Sequence, residues 1–155
     1  MMAMTYLDKQ LKRIHESCKQ DGLRLTENRE NVLRCLIESK KALSAYELID
    51  LYKVNYCREI SAMSIYRILA FLEQVNLAHK IKTTHKYVAC SDMTCRHDHS
   101  ARKFLICDRC EKVREVHIDP DLLAALSDSM IPMGFHLLGP HLEISCICDE
   151  CHSNS

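Results

Sequence analysis

Apolar residues recur at helical spacing four times in the first half of the chain. Leu7, Leu11, Ile14 and Cys18 share one face of a segment from Tyr6 to Cys18. Thr26 is placed to cap a second helix whose apolar stripe is Val32, Leu33, Leu36 and Ile37. Ser44-Ala45-Tyr46-Glu47 reads as a capping box, in which the serine hydroxyl and the glutamate carboxylate each satisfy the other residue's amide. It predicts a third helix that buries Leu48, Ile49 and Leu51. A fourth is predicted from about Ser61 to Asn76, on the stripe Ile65, Ile68, Leu69, Leu72 and Val75. Two short strand-like runs follow, Ala78–Lys82 and Lys86–Cys90, joined through Thr83-Thr84-His85 without a glycine. Helices followed by a hairpin form the pattern of a winged helix-turn-helix, with the third helix as support and the fourth as reader.

The second half has a different rhythm. Residues 91–102 are polar and carry Cys95, His97 and His99. Lys103–Cys107 and Lys112–Ile118 read as strands around Cys107-Asp108-Arg109-Cys110. Asp119-Pro120 opens a helix, with Asp as N-cap and Pro at the first helical position, and Leu122, Leu123, Leu126 and Met130 as its core stripe. His136–Leu138 and Leu142–Ser145 read as strands broken at Gly139-Pro140. The pattern predicts an α+β fold: residues 1–89 a winged helix-turn-helix, 90–102 a linker or metal loop, and 103–155 a small α+β unit.

Charge sharpens that division. The chain is neutral, with 21 Lys+Arg and 21 Asp+Glu, yet 15 of the bases and 10 of the acids fall before Cys90. A basic half suits an anionic partner. No apolar run is long enough to span a membrane, and the first 18 residues lack the apolar core of a signal peptide, so a cytoplasmic protein is expected. Seven of the ten cysteines lie at Cys90 or beyond. In a reducing compartment, clustered cysteines point to metal or redox chemistry rather than disulfides.

Cys107-x-x-Cys110 and Cys148-x-x-Cys151 are the strongest chemical signal. Two intervening residues let both thiolates of a pair converge on one tetrahedral ion, and two such knuckles complete a four-thiolate zinc site. A thioredoxin-like redox motif would use one pair and leave the other unexplained. Cys146 is a spare thiol nearby, read as a bystander. His141-Leu142-Glu143 matches the first part of a zinc deaminase signature, but no proline precedes a suitable Cys-x-x-Cys, and the match is taken as chance.

Arg24-Leu25-Thr26 with Arg29, Ser44-Ala45-Tyr46, Ser64-Ile65-Tyr66-Arg67 and Phe104-Leu105-Ile106-Cys107-Asp108-Arg109-Cys110 resemble the ferric uptake regulator family, over nearly the whole chain. Within it, the Ser-Ala-Tyr helix start, His79 followed eleven residues later by Cys90, and Cys-Asp-Arg-Cys with Glu115 are similar to the zinc uptake regulator subgroup. The resemblance implies a homodimeric repressor that binds operator DNA when charged with zinc. It also implies a second, regulatory zinc site made of His79, Cys90, a loop histidine and Glu115, so two Zn²⁺ per chain. His99 is preferred over His97 as the loop ligand, and Cys95 is a third candidate. Taken alone, His79 reads as a satisfied or surface residue, Cys90 as a small buried hydrophobe and Glu115 as a solvated strand residue.

The fourth helix carries Ser61, Ser64, Tyr66 and Arg67 away from its apolar stripe. Arg67 can meet a guanine edge bidentately or sit on phosphate, and Ser64 and Tyr66 can bond phosphate or base. Tyr46 stands in the first turn of the support helix, where backbone amides also face phosphate. Without the surrounding pattern, a Tyr-Arg pair is an ordinary solvated face. Where the family has Thr and Pro, this chain has Ser64 and Ala62. Asp50 and Lys53 resemble positions that pair adjacent dimers on DNA, with an ion pair inside the helix as the plainer alternative. The expectation is a non-enzymatic, zinc-responsive repressor of zinc uptake and homeostasis genes. A same-family sensor of iron, manganese, nickel or peroxide is the first alternative and a zinc-dependent enzyme the second. An enzyme needs an open coordination position, whereas both expected sites are closed by four protein ligands.

Overall fold

Each helix of the first half starts where a side-chain oxygen can take up a free amide. The computed structural model describes residues 4–91, 102–139 and 141–154. The chain divides into two compact units, Met1–Arg96 and His97–Ser155. In the first, α1 spans Tyr6–Gln20, α2 Glu27–Glu38, α3 Ala45–Tyr56 and α4 Ala62–Gln74. Thr5, Thr26, Ser44 and Ser61 are their N-caps. The expected capping box is present: the Ser44 amide donates to Glu47 at 2.7 Å and the Glu47 amide to the Ser44 hydroxyl at 3.1 Å. Thr5 and Asp8 form a second box at the head of α1.

The apolar stripes meet in one core. Leu11, Ile14, Val32, Leu33, Leu48, Tyr52, Ile65, Leu69 and Leu72 are all but sealed from solvent. Burying a Leu or Ile side chain stabilises by about 1.5–3 kcal/mol, so this cluster is what fixes α4 at the angle it holds. Just past the end of α4, Asn76 adopts φ 60° while Leu77 donates to the Leu72 carbonyl at 2.8 Å. Asparagine tolerates the left-handed conformation that such a helix end requires, and the chain turns into a strand at once.

That strand, β1 (Ala78–Ile81), pairs antiparallel with β2 (Lys86–Ala89). Each is one residue shorter than expected. Ile81 pairs with Lys86, which leaves a four-residue loop closed by His85 at φ 55°, where a glycine would commonly stand. Leu43 exchanges two backbone hydrogen bonds with Tyr87, at 2.9 and 2.8 Å, and docks the segment before α3 onto the hairpin.

In the second unit, β3 (Lys103–Cys107) lies between β4 (Val113–Glu115) and β5 (Leu142–Cys146). β4 is antiparallel to β3 and shorter than the expected Lys112–Ile118, whereas β5 is parallel to β3. A parallel pair needs a long crossover, and residues 108–141 supply it, including α5 (Pro120–Met130). Asp119 caps α5, accepting from the Asp121 amide at 2.8 Å, with Pro120 in the first turn. Two expectations are corrected here. His136–Leu138 is not a strand: it joins neither sheet among the described residues. The α5 stripe is not a core stripe of this chain either: no α5 residue is buried, and Leu122 and Leu126 are exposed. A short helix, α6 (Asp149–Ser153), closes the chain. No described helix is long and apolar enough to cross a membrane.

Candidate metal centre and nucleic-acid interface

The two Cys-x-x-Cys knuckles come together as the spacing predicts. Cys107 ends β3, and the chain turns back so that its amide donates to the Lys112 carbonyl at 2.9 Å. Glu111, at φ 60°, makes that turn. Cys148 is the N-cap of α6 and Cys151 sits within it. The sulfurs of Cys107, Cys110, Cys148 and Cys151 lie within 4.8 Å of one another, with Cys110 and Cys148 at 3.6 Å. Four thiolates about 2.3 Å from a tetrahedral zinc stand about 3.8 Å apart, so the quartet fits that ion closely.

Its electrostatics fit as well. Amides of Cys110, Cys148 and Arg109 point at the Cys107 sulfur and hold its thiol down at about 6. The hydrogen bond that the Cys151 thiol donates to Cys148, with burial and the other two thiols, pushes Cys151 up to about 12. Cys110 is also raised: the Lys112 amide lowers it, but burial and the Cys107 and Cys148 sulfurs outweigh that. Four sulfurs so close cannot all be anionic without a cation among them. Side chains brace the ring. Arg109 donates to the Cys151 carbonyl at 3.1 Å, and Lys112 pairs with Glu150 at 3.0 Å. Cys146 stands outside the quartet; its thiol donates to the Ile106 carbonyl at 3.4 Å.

The other expected ligands divide between the units. His79 opposes Val88 in the hairpin, and the Cys90 amide donates to the Leu77 carbonyl at 2.9 Å. His79 and Cys90 are therefore diagonal neighbours on one face of the hairpin. Both are buried, which is unusual for a histidine on a short strand. Glu115 ends β4 in the second unit, opposite Phe104, with its carboxylate 3.6 Å from Arg102. His99 lies outside the described residues, as do His97 and Cys95.

On α4 the buried face is Ile65, Ile68, Leu69 and Leu72, and the opposite face presents Met63, Ser64, Tyr66 and Arg67. Ser61 is engaged in the fold: its oxygen accepts from the Ser64 amide at 3.1 Å, and its hydroxyl donates to Ser64 Oγ at 2.9 Å. Tyr46 projects from the first turn of α3 and is 68% exposed. Met63 was not expected; it is 64% exposed at the start of α4, and its only signal in the sequence is that it lies off the apolar stripe. Arg29 supports this face from behind, with its guanidinium 3.6 Å over the Phe71 ring and a 2.7 Å bond to the Arg24 carbonyl. Lys53 pairs with Glu59 at 3.1 Å, so the plainer alternative of an Asp50–Lys53 pair is not what the helix uses.

The sequence model of the Ferric uptake regulator family matches residues 20–145. The Zinc uptake regulation protein of Escherichia coli is 32% identical over 152 residues, covering 97% of this chain and 85% of that one. The structure of a zinc uptake regulator complexed with zinc and DNA superposes with a TM-score of 0.78 at 29% identity, covering 97% of both chains. The crystal structure of holo XcZur superposes with a TM-score of 0.72 at 32% identity, over 94% of this chain and 98% of that one.

Proposed function

This chain belongs to the ferric uptake regulator family, and from that premise we propose that it is a zinc-responsive, DNA-binding transcriptional repressor of zinc uptake and homeostasis genes. Members of the family are transcriptional regulators, and we read this chain as a cytoplasmic one with no enzymatic activity. One observation carries the zinc reading: a buried histidine and a buried cysteine share one face of the hairpin that follows the exposed α4. An imidazole beside a thiolate is a borderline-soft donor pair that suits zinc and disfavours oxygen-seeking ions.

Two ions per chain are proposed, with separate tasks. Cys107, Cys110, Cys148 and Cys151 would hold the first and fasten β3 to α6. His79, Cys90, His99 and Glu115 would hold the second. When bound there, zinc supplies a single positive centre that four donors share. Because His79 and Cys90 belong to the first unit and Glu115 to the second, closing that set would tie the units together. A ligand that favours one arrangement of two units shifts their population toward it, and here the favoured arrangement is the one that binds DNA.

On the operator, α4 would enter the major groove. Arg67 would meet a guanine edge or phosphate, Tyr66 and Ser64 phosphate or base, and Met63 an apolar thymine methyl. Tyr46 would touch the backbone beside the amides of α3. Ser61 acts through its cap, by fixing the first turn of α4. The basic first half matches this partner. A homodimer would present two such helices to two half-sites.

A sensor of iron, manganese, nickel or peroxide is the second reading, and Cys90 weighs against its iron and peroxide versions, which suit histidine and carboxylate ligands. The deciding experiment is a DNA-binding titration in zinc-buffered solution, repeated with iron(II), manganese(II) and nickel(II). Binding that rises with free zinc at concentrations where the other ions do nothing is expected. Binding indifferent to free zinc would sink the proposal.

A further inference from the structure

Five cysteines lie at Cys107 or beyond, and four of them form the quartet. The fifth, Cys146, is fastened against Cys107 by the fold itself. The two are register partners in the parallel β3–β5 pair, so their side chains leave the same face of the sheet. Paired strands run about 4.8 Å apart, inside the Cα separation of about 4.4–6.8 Å that a disulfide spans. Two hydrogen bonds straddle Cys107. The Cys146 thiol donates to the carbonyl of Ile106 at 3.4 Å, and the amide of Asp108 donates to the carbonyl of Cys146 at 3.0 Å. Cys146 is thus held to the residues on either side of Cys107.

The pair also shares an opening. Cys107 and Cys146 line one cleft of about 330 Å³ together with Lys112, Arg114 and Cys148. Cys107 is buried, whereas Cys146 is half-buried, so of these two a small solute in the cleft meets Cys146 first. Cys146 is also the one thiol there that the quartet does not need.

We propose that Cys146 is a redox partner for Cys107: a hydroperoxide converts the two to a disulfide, and that bond withdraws Cys107 from the metal-binding quartet. In the first step the Cys146 sulfur attacks one peroxide oxygen. The O–O bond breaks, and the departing hydroxide leaves as water with the thiol proton. In the second step the Cys107 thiolate attacks the sulfur of the resulting sulfenic acid. The S–S bond forms, the S–O bond breaks, and hydroxide leaves. One thiol, one thiolate and one hydrogen peroxide give one disulfide, one water and one hydroxide; each sulfur loses one electron and the peroxide oxygens gain two. The cleft carries both signs of charge, with Lys112 and Arg114 beside Asp149 and Glu150. Three thiolates then remain of the four, so an oxidant signal would loosen the second unit independently of the zinc supply.

The linkage rests on the strand register, and its consequence for metal rests on the proposed zinc quartet. The test keeps the two apart. The purified full chain is first assayed for bound zinc, then titrated with hydrogen peroxide, with released metal read by a chelating dye and disulfides mapped by mass spectrometry. A Cys107–Cys146 linkage should appear in step with metal release, and dithiothreitol with added zinc should reverse both. Cys146→Ser and Cys146→Ala should hold their metal several-fold longer at the same peroxide dose. A map confined to the quartet, such as Cys110 joined to Cys148, would overturn the inference, as would equal release rates in both variants. A chain without zinc before oxidant is added would overturn the quartet reading instead, and the map would still decide the linkage.

Discussion

The amide of Cys148 donates to the sulfur of Cys107 across 3.4 Å, so the second cysteine pair supports a ligand of the first. One knuckle cannot be formed well without the second. In small zinc folds a structural zinc contributes on the order of 10 kcal/mol of apparent binding energy at neutral pH, against a total domain stability of about 5–15 kcal/mol. Cys107→Ser is therefore expected to lose the tightly held zinc and to unfold the second unit. Cys90→Ser is expected to keep that zinc and the fold, and to lose zinc-dependent DNA binding. Metal analysis before and after mild chelation, with thermal unfolding of both variants, checks the division. Equal behaviour of the two would show that the sites are not separate.

Arg67 stands exposed on α4 while its neighbour Ile68 is buried, so the side chain can be removed without opening the core. Arg67→Ala should weaken operator binding by about 1–3 kcal/mol, the range for one bidentate base contact, with little change in melting temperature. Arg67→Lys should recover the phosphate component and not the base discrimination. Fluorescence anisotropy on operator and scrambled duplexes separates the two. Ser61→Ala should behave differently. It removes a helix cap, a loss of about 1 kcal/mol in stability, and should weaken both duplexes together.

The first unit was largely legible in the sequence because its signals are local. Caps at Thr26 and Ser44 and the stripe of α4 concern residues a few positions apart. The cysteine quartet was legible for the same reason within each knuckle. What the sequence did not carry was partnership between distant segments. The β3–β5 pairing is parallel and spans residues 108–141, and no local pattern announces it. The α5 stripe has the pattern of a core stripe because periodicity reports which face is apolar and not what covers it. Met63 was missed because an exposed methionine has no pattern of its own.

That uncovered face bears on assembly. Leu122 and Leu126 stand one turn apart on α5 and are 64% and 43% exposed. With Ile131, Met133 and Phe135, also exposed, they make an apolar surface that a homodimer of this chain would bury. Leu126→Glu is expected to give a folded monomer, seen by size exclusion and sedimentation, with operator affinity reduced because two half-sites are no longer bound at once. A dimer of unchanged stability would place the interface elsewhere.

Cys57 ends α3 at φ 52°, exposed to solvent. A non-glycine residue in that conformation is disfavoured by roughly 1–2 kcal/mol, partly offset by the entropy that glycine loses on folding. Cys57→Gly should therefore raise stability by up to about 1 kcal/mol and remove an exposed thiol from every redox assay. Cys57→Ala, which keeps the strain, should leave the melting temperature nearly unchanged. Urea unfolding of the three chains distinguishes relief of backbone strain from loss of the thiol.

Stability in acid should depend on the contact between α1 and α2. Arg34 lies 2.9 Å from Asp8 and 3.0 Å from Glu30, and His15 lies 2.6 Å from Glu30. The Thr5 hydroxyl and then Arg34 hold Asp8 below the usual carboxylate range. Burial pushes Glu30 up, but His15 and Arg34 outweigh it, and Glu30 too is lowered. A carboxylate whose pKa is depressed by folding stabilises the fold above its unfolded value, about 3.9 for Asp and 4.3 for Glu. That contribution is lost as the pH falls through the folded value. Asp8→Asn with Glu30→Gln should consequently melt below the parent chain at neutral pH. The gap should begin to close as the pH falls beneath about 4, where the unfolded chain takes up protons, and vanish only once the pH has fallen through the lower folded values. A gap that stayed constant across the titration would mean that the two residues act through packing and not through charge.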